Sequence, residues 1–148
     1  MKKKILPPIY FYLFLLLAVV LHFIFPVKKI IRPPYIYSGI ALIVLGVVLN
    51  IWSDALFKKK KTTIKPFEGP TKLEVSGPFA FSRHPMYLGM AIILLGTSVV
   101  LGSLIAFIFP IGFIIVMNVI FIPFEERNLE KIFGKEYLDY KQKVRRWI

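Results

Sequence analysis

The sequence predicts an all-α integral membrane protein with four transmembrane helices. Hydrophobic residues make up 57% of the 148-residue chain, whereas soluble domains average about 45–50%. Lys and Arg number 20 against 8 Asp and Glu, which gives a formal net charge of +12. Such hydrophobicity and such charge are compatible in one small chain only if they are segregated along it. The chain has no cysteine, which excludes disulfides, thiolate metal sites and cysteine nucleophiles.

Two uncharged runs predict the first two membrane spans, at residues 9–25 and 34–53. Each is close to the roughly 20 residues that a helix needs to cross the hydrocarbon core. Tyr35 and Trp52 lie near the edges of the second run, as interfacial aromatic residues do. No small-residue cleavage site follows the first run, so we expect a membrane helix there and not a removable signal peptide.

The third hydrophobic block, residues 86–124, contains no charged residue. As one straight helix it would be about 58 Å long, nearly twice the hydrocarbon thickness of about 30 Å. The block must therefore fold back, and Gly102 and Ser103 near its middle form the natural turn. The sequence thus predicts a tight helical hairpin whose two arms are spans three (86–101) and four (104–124).

The distribution of basic residues predicts the orientation of the four spans. Only Lys28, Lys29 and Arg32 lie between spans one and two, and the other 17 Lys and Arg flank the opposite ends. The positive-inside rule then places both termini, the loop 54–85 and the helical tail 125–148 in the cytoplasm, and we expect the cell (inner) membrane. Most of these bases are interpreted as topology signals, and Arg83 alone is assigned to chemistry. No motif for a folded basic face is present, so we expect no nucleic-acid partner.

Polar residues cluster at the two cytoplasmic ends of the predicted hairpin. Arg83 and His84 precede span three, and Glu125 and Glu126 follow span four. A helix N-terminus and a guanidinium favour an anion, whereas two carboxylates accept hydrogen bonds from hydroxyls or an ammonium group. The combination suits a zwitterionic ligand that carries a ribose.

Each of these polar residues also has a simpler interpretation. Arg83 would only set topology, His84 would be an interfacial histidine, and the acidic pair would be a solvated helix start. Polar residues inside membrane spans are often functional, but for three of them we expect hydrogen bonds to neighbouring helices. These are His22, Asn50 and Asn118.

Four motifs follow one another between residue 62 and the C-terminus. They are Gly77-Pro78-Phe79, Arg83-His84-Pro85-Met86-Tyr87-Leu88-Gly89, Glu125-Glu126, and Phe133-Gly134-Lys135-Glu136-Tyr137 with Tyr140. In this order they resemble the isoprenylcysteine carboxyl methyltransferase family, and the related phospholipid N-methyltransferases share much of the pattern.

The resemblance implies an integral-membrane enzyme that transfers a methyl group from S-adenosylmethionine to a lipophilic or amphiphilic acceptor, either a small molecule or a lipidated one. Its partners would be the lipid bilayer and this acceptor. No catalytic residue is assigned, and no metal is expected. The cofactor-binding candidates carried over from the motifs are Arg83, His84, Tyr87, Gly89, Glu125 and Glu126, with Tyr137 and Tyr140 closing over the site.

One departure from the family pattern leaves the acceptor open. Eukaryotic carboxyl methyltransferases carry an arginine shortly before the acidic pair, near the substrate carboxylate, whereas residues 117–124 contain none. A phospholipid or amine N-methyltransferase is therefore an alternative. A small transporter is disfavoured because no acidic residue lies inside a predicted span. A non-catalytic lipid-binding protein would use the basic run Lys58–Lys61.

Overall fold

The computed structural model describes residues 6–25, 27–59 and 70–148, and it agrees with the all-helical prediction. The basic N-terminal residues, residues 60 and 61 of the basic run, and the threonine- and proline-rich part of the loop up to residue 69 lie outside this described part. The elements are helices α1 (Pro7–Ile24), α2 (Tyr37–Lys59), α3 (Pro85–Leu101), α4 (Ile108–Val116), α5 (Ile122–Phe133) and α6 (Lys135–Lys143), two short 3-10 helices (Gly77–Ala80 and Leu104–Phe107), and a π-helical turn (Met117–Phe121).

Three helical segments are long and apolar enough to cross a membrane: Pro7–Ile24, Tyr37–Lys59 and Leu104–Phe133. The last is one continuous rod that includes α4, the π turn and α5. Helix α3 is also apolar but has 17 residues. The described part of the chain therefore has three long apolar helices, and the count of four membrane spans stays a prediction.

Helices α2 and α3 pack along their whole length through facing glycines. A Cβ atom on Gly39 would lie 2.5 Å from the carbonyl oxygen of Gly96, and one on Gly46 would lie 2.6 Å from that of Gly89. Small residues of this kind let two membrane helices approach until their backbones touch. The contact fixes α3 against α2, and it thereby fixes the segment that leads into α3.

The predicted hairpin turn is present between α3 and the last rod. Helix α3 ends at Leu101, and Gly102 has a left-handed backbone with φ of 69°, which glycine adopts without strain. Ser103 next to it lies 2.8 Å, Oγ to Nδ1, from His22 of α1. His22 therefore makes a hydrogen bond to another part of the chain, but its partner lies in the turn and not in a neighbouring helix as the sequence predicts.

The last rod continues beyond the predicted end of span four. The sequence places that end at Phe124 and starts the tail at Glu125, but the chain stays helical to Phe133. No helix-breaking residue follows Pro123 until Gly134, whose φ of 52° ends α5. The acidic pair therefore lies inside a helix, one turn after the π-helical segment. Such π turns widen the helix locally and occur often at functional sites.

Candidate functional site

The segment Ser82–His84 is held rigidly at the start of α3. Pro85 occupies the first helical position, as predicted, where its missing N–H costs nothing. The backbone N–H of His84 donates to Ser82 Oγ at 3.2 Å, and both residues are buried. The start of α3 and this local hydrogen bond therefore fix the backbone that carries the side chains of Arg83 and His84.

The acidic pair meets this segment, as the hairpin topology predicts. The Tyr87 hydroxyl donates to Glu125 Oε2 at 3.0 Å. The His84 ring lies between the two carboxylates, with Nδ1 3.5 Å from Glu125 Oε2 and Nε2 3.4 Å from Glu126 Oε1. One imidazole therefore links both acids across the two arms of the hairpin.

Glu126 is a buried carboxylate surrounded by cationic groups. It is 4% exposed, and its Oε1 lies 3.3 Å from Arg83 Nη2. Arg146 contacts both of its oxygens, with Nε 3.3 Å from Oε1 and Nη2 2.9 Å from Oε2. A buried carboxylate is tolerated only when it is paired in this way, so Glu126 organises the charges of the site.

Arg83 retains donors that no group in the described part of the chain uses. Its side chain is 9% exposed, and its Nε and Nη1 atoms are buried without a hydrogen-bond partner in the described part of the chain. The Tyr137 hydroxyl, on a residue that is 1% exposed, has none either. A buried donor without an acceptor costs about 1–3 kcal/mol, so such groups call for a ligand or water. These atoms are suited to receive an anionic group.

The protonation of the site follows from its burial and its carboxylates. Burial by itself lowers the pKa of His84, but hydrogen bonds and charge attraction from Glu125 and Glu126 raise that pKa above its usual 6.5 overall. Burial, followed by the charge of Glu126, raises the pKa of Tyr137. Its phenol is therefore neutral at physiological pH and available as a donor.

Two of the eight predicted site residues have a different local environment. Gly89 faces α2, where a Cβ atom would lie 2.8 Å from Asn50 Nδ2, so its described role is close helix packing. The Tyr140 hydroxyl donates to the carbonyl of Phe79 at 2.6 Å and ties α6 to the 3-10 helix at Gly77–Ala80. The charged and aromatic cluster itself comprises Arg83, His84, Tyr87, Glu125, Glu126 and Tyr137.

Sequence reasoning missed the C-terminal contribution to this cluster. It assigned every base of the tail to topology. That assignment leaves out the ion pair that Arg146 makes with Glu126. The next residue, Trp147, donates from Nε1 to Asn118 Oδ1 at 3.1 Å, so Asn118 makes a hydrogen bond, but its partner lies in the segment after α6 and not in a neighbouring helix as expected. Trp147, the single tryptophan of the tail 125–148, was the available signal. No group of metal-ligating side chains occurs within residues 6–25, 27–59 and 70–148.

The fold and the cluster define a helical membrane protein with a buried, charge-paired site at one end of a helical hairpin. Residues 34–136 match the profile of the phospholipid methyltransferase family. The chain therefore belongs to this family of methyltransferases, in agreement with the resemblance seen in its motifs.

Individual relatives point the same way. The chain is 32% identical over 111 residues to protein-S-isoprenylcysteine O-methyltransferase B of Arabidopsis thaliana, covering 72% of this chain and 55% of that protein. A probable enzyme of the same name from Oryza sativa is 31% identical over 113 residues, covering 73% and 58%. The chain thus spans little more than half the length of these relatives. An uncharacterized protein of Haemophilus influenzae is 49% identical over 63 residues, which cover 43% of this chain and all of that protein.

A solved structure shares the fold. It is the eukaryotic intramembrane Ras methyltransferase, isoprenylcysteine carboxyl methyltransferase, with a TM-score of 0.67 and 23% identity. The match covers 95% of this chain and 51% of that one. Nearly all of the present chain therefore corresponds to about half of the larger enzyme.

Proposed function

We propose that this protein is an S-adenosylmethionine-dependent membrane methyltransferase that acts on a lipophilic or amphiphilic acceptor at the cytoplasmic membrane face. The observation that carries the proposal is the buried Arg83 guanidinium, two of whose nitrogens, Nε and Nη1, have no hydrogen-bond partner among the described residues, beside a pair of carboxylates. Membership of the phospholipid methyltransferase family and the likeness to isoprenylcysteine O-methyltransferases support it.

The residues of the cluster fit the chemical groups of this cofactor. The unused Arg83 donors and the Tyr137 hydroxyl match a carboxylate, which a guanidinium binds through paired hydrogen bonds. Glu125, whose side chain is 27% exposed, is the acid open enough to accept hydrogen bonds from ribose hydroxyls or an ammonium group. Tyr87 and Tyr137 add aromatic rings, which favour a cationic sulfonium.

When bound, S-adenosylmethionine would supply an activated methyl group to a lone pair of the acceptor. The protein's task is mainly to orient the two partners, since holding reactants in line is itself a large part of catalysis. Arg83, Tyr137 and Glu125 would hold the donor, and the buried His84–Glu126 pair would keep Arg83 in place and water out.

We also propose four membrane spans with both termini in the cytoplasm of a cell (inner) membrane. Helix α3, although 17 residues long, would span about 26 Å, and it contains no charged residue. The flanking bases support the orientation, because 17 of the 20 precede proposed span one, fall between spans two and three, or follow span four in the sequence. The charged cluster would then lie at the cytoplasmic interface, where a lipid-borne acceptor can reach it laterally.

A second candidate, an N-methyltransferase acting on a phospholipid or another amine, rests on a specific observation. Residues 117–124 offer no arginine for a carboxylate substrate, and the matching family profile is that of phospholipid methyltransferases. The two candidates share the cofactor site and differ in the acceptor.

Transfer of a labelled methyl group from S-adenosylmethionine into a lipid extract tests the proposal. Membranes that contain the protein should label a lipid-soluble product, and its hydrolysis should separate an ester from a methylated amine. Membranes that contain the Arg83→Gln variant serve as the control. Purified protein that binds neither S-adenosylmethionine nor S-adenosylhomocysteine in calorimetry would contradict the proposal.

A further inference from the structure

The four residues at positions 144–147, called here the C-terminal clasp, leave α6 and cross the candidate site. Val144 is extended, with φ of −120° and ψ of 130°, and its N–H donates to the Tyr140 carbonyl at 3.0 Å. The chain therefore turns out of the helix and runs beside the charged cluster.

The clasp contacts three separate parts of the site. The Arg83 backbone N–H donates to the Arg145 carbonyl at 3.0 Å, and Ser82 Oγ donates to the Arg146 carbonyl at 3.4 Å. Trp147 bonds Asn118 of the π turn and packs against the apolar core. The clasp thereby joins the segment before α3 to the last rod.

Arg146 is distinguished by how it contacts Glu126. Among the described residues that contact Glu126, Arg83 and His84 both approach Oε1, whereas Arg146 spans Oε1 and Oε2. Two parallel N–H···O contacts fix the plane of a carboxylate, which a single contact does not. The orientation of Glu126 therefore depends on Arg146.

The orientation of Glu126 in turn sets that of Arg83. Glu126 Oε1 holds Nη2 of Arg83, and the other two donor positions of that guanidinium, Nε and Nη1, stay unused. A guanidinium is planar and holds its donors in a rigid fork, so the place where Glu126 anchors Nη2 limits the directions in which Nε and Nη1 of this buried side chain can point.

We propose that Arg146 is a positioning residue: it orients Glu126, and through Glu126 it aims the unused donors of Arg83 at an anionic group of the ligand. This inference rests on the proposed function, and it adds the C-terminal clasp to the site. Arg146 itself does not need to touch the ligand.

The neighbouring Arg145 provides a matched control. Its side chain is exposed, while its backbone carbonyl makes the contact to Arg83, so Arg145→Gln removes the same charge and keeps the clasp. Arg146→Lys keeps the charge and removes the planar fork, which separates geometry from electrostatics.

The test is isothermal titration calorimetry of the purified full chain with two probes. S-adenosylhomocysteine carries a carboxylate, and 5′-methylthioadenosine lacks the amino-acid part. Arg146→Gln should weaken S-adenosylhomocysteine binding about tenfold or more, as expected for losing a charge-assisted hydrogen bond, and should leave methylthioadenosine binding unchanged. Arg146→Lys should give an intermediate loss, and Arg145→Gln should bind both probes like the wild type.

The outcomes separate this inference from the proposed function. Wild-type protein that binds neither probe would overturn the proposed function and the inference with it. If the wild type binds, an Arg146→Gln variant with unchanged S-adenosylhomocysteine affinity would overturn the inference alone. Equal losses for both probes would also overturn it, because they would indicate a general structural role. If Arg146→Gln does not fold, the same comparison of probes is made with Arg146→Lys.

Discussion

The two sides of helix α3 are built on opposite principles. Toward α2 it packs through glycines, and the backbones touch because side chains are missing. Toward the last rod, its first turn and the residues before it carry charged and aromatic side chains that pair with Glu125 and Glu126. An atom added at the glycine contact would force the two helices apart, and a charge removed from the other contact would leave its partners unpaired. The glycine contact fixes the helix, and the charged contact gives it a chemical role.

The largest effect is expected from Glu126→Gln, which removes the central carboxylate from the charged contact between the start of α3 and the last rod. It leaves Arg83 and Arg146 without their carboxylate, and removing one partner of a buried pair costs about 3–5 kcal/mol. We expect a large drop in the thermal unfolding midpoint and loss of S-adenosylhomocysteine binding. Glu130→Gln is the control, because its pair with Lys141 is about one-third exposed, where ion pairs contribute about 0–1 kcal/mol. Equal stability of the two variants would contradict the claim that the buried ion pairs of Glu126 stabilise the fold.

Gly46→Val disrupts the glycine contact between α2 and α3. Even its Cβ atom would lie 2.6 Å from a backbone oxygen of α3, so the helices must separate. Overpacking of this kind costs about 1–3 kcal/mol, and the thermal midpoint measures it. Val48→Ala, at a 54% exposed position of the same helix, should change the midpoint little. A Gly46→Val protein as stable as Val48→Ala would show that α2 and α3 do not pack as described.

Two tyrosines of α6 sharpen the distinction between structure and ligand binding. Tyr140→Phe deletes a buried hydrogen bond to Phe79 and should lower stability by about 1 kcal/mol. Tyr137→Phe removes a hydroxyl without a described protein partner, so it should not lower stability but should weaken S-adenosylhomocysteine binding severalfold. Thermal unfolding and calorimetry on both variants check this. The reverse assignment, with Tyr137 needed for stability and Tyr140 for binding, would refute it.

The smallest effect concerns the protonation of His84. Because its pKa is raised in the folded protein, protonated His84 stabilises the fold. This contribution is fully present below pH 6.5, its usual value, and is lost as the pH rises through the folded pKa. The difference in thermal midpoint between wild type and His84→Gln should therefore shrink from pH 6 to pH 9. A difference that grows with pH would mean that burial dominates and that His84 is neutral.

Most of the architecture was predictable because hydropathy and local chain chemistry determine it. Uncharged runs indicate the apolar helices, Gly102 supplies the turn, and Pro85 begins α3. The convergence of Glu125 with the Arg83 segment followed from chain connectivity alone. These inferences need only local sequence and the length of the hydrophobic block.

The rest depends on contacts that local sequence does not encode. The uncharged apolar run ends at Phe124, whereas the helix continues to Phe133 and is ended by Gly134. The acidic pair therefore lies within the last helical rod. The sequence alone does not distinguish Arg146 from the other tail bases, because Arg146 reaches Glu126 only through the extended chain that begins at Val144. Gly89 shares a motif with site residues, yet its described contact is to Asn50.

Calorimetric titration of purified wild-type and Arg83→Gln protein with S-adenosylhomocysteine tests the central claim most directly. The unused Arg83 donors predict that the wild type binds and that the variant binds at least about tenfold more weakly, because a charged hydrogen-bond partner of the ligand is lost. Binding that is absent in the wild type, or equal in the two proteins, would contradict the account.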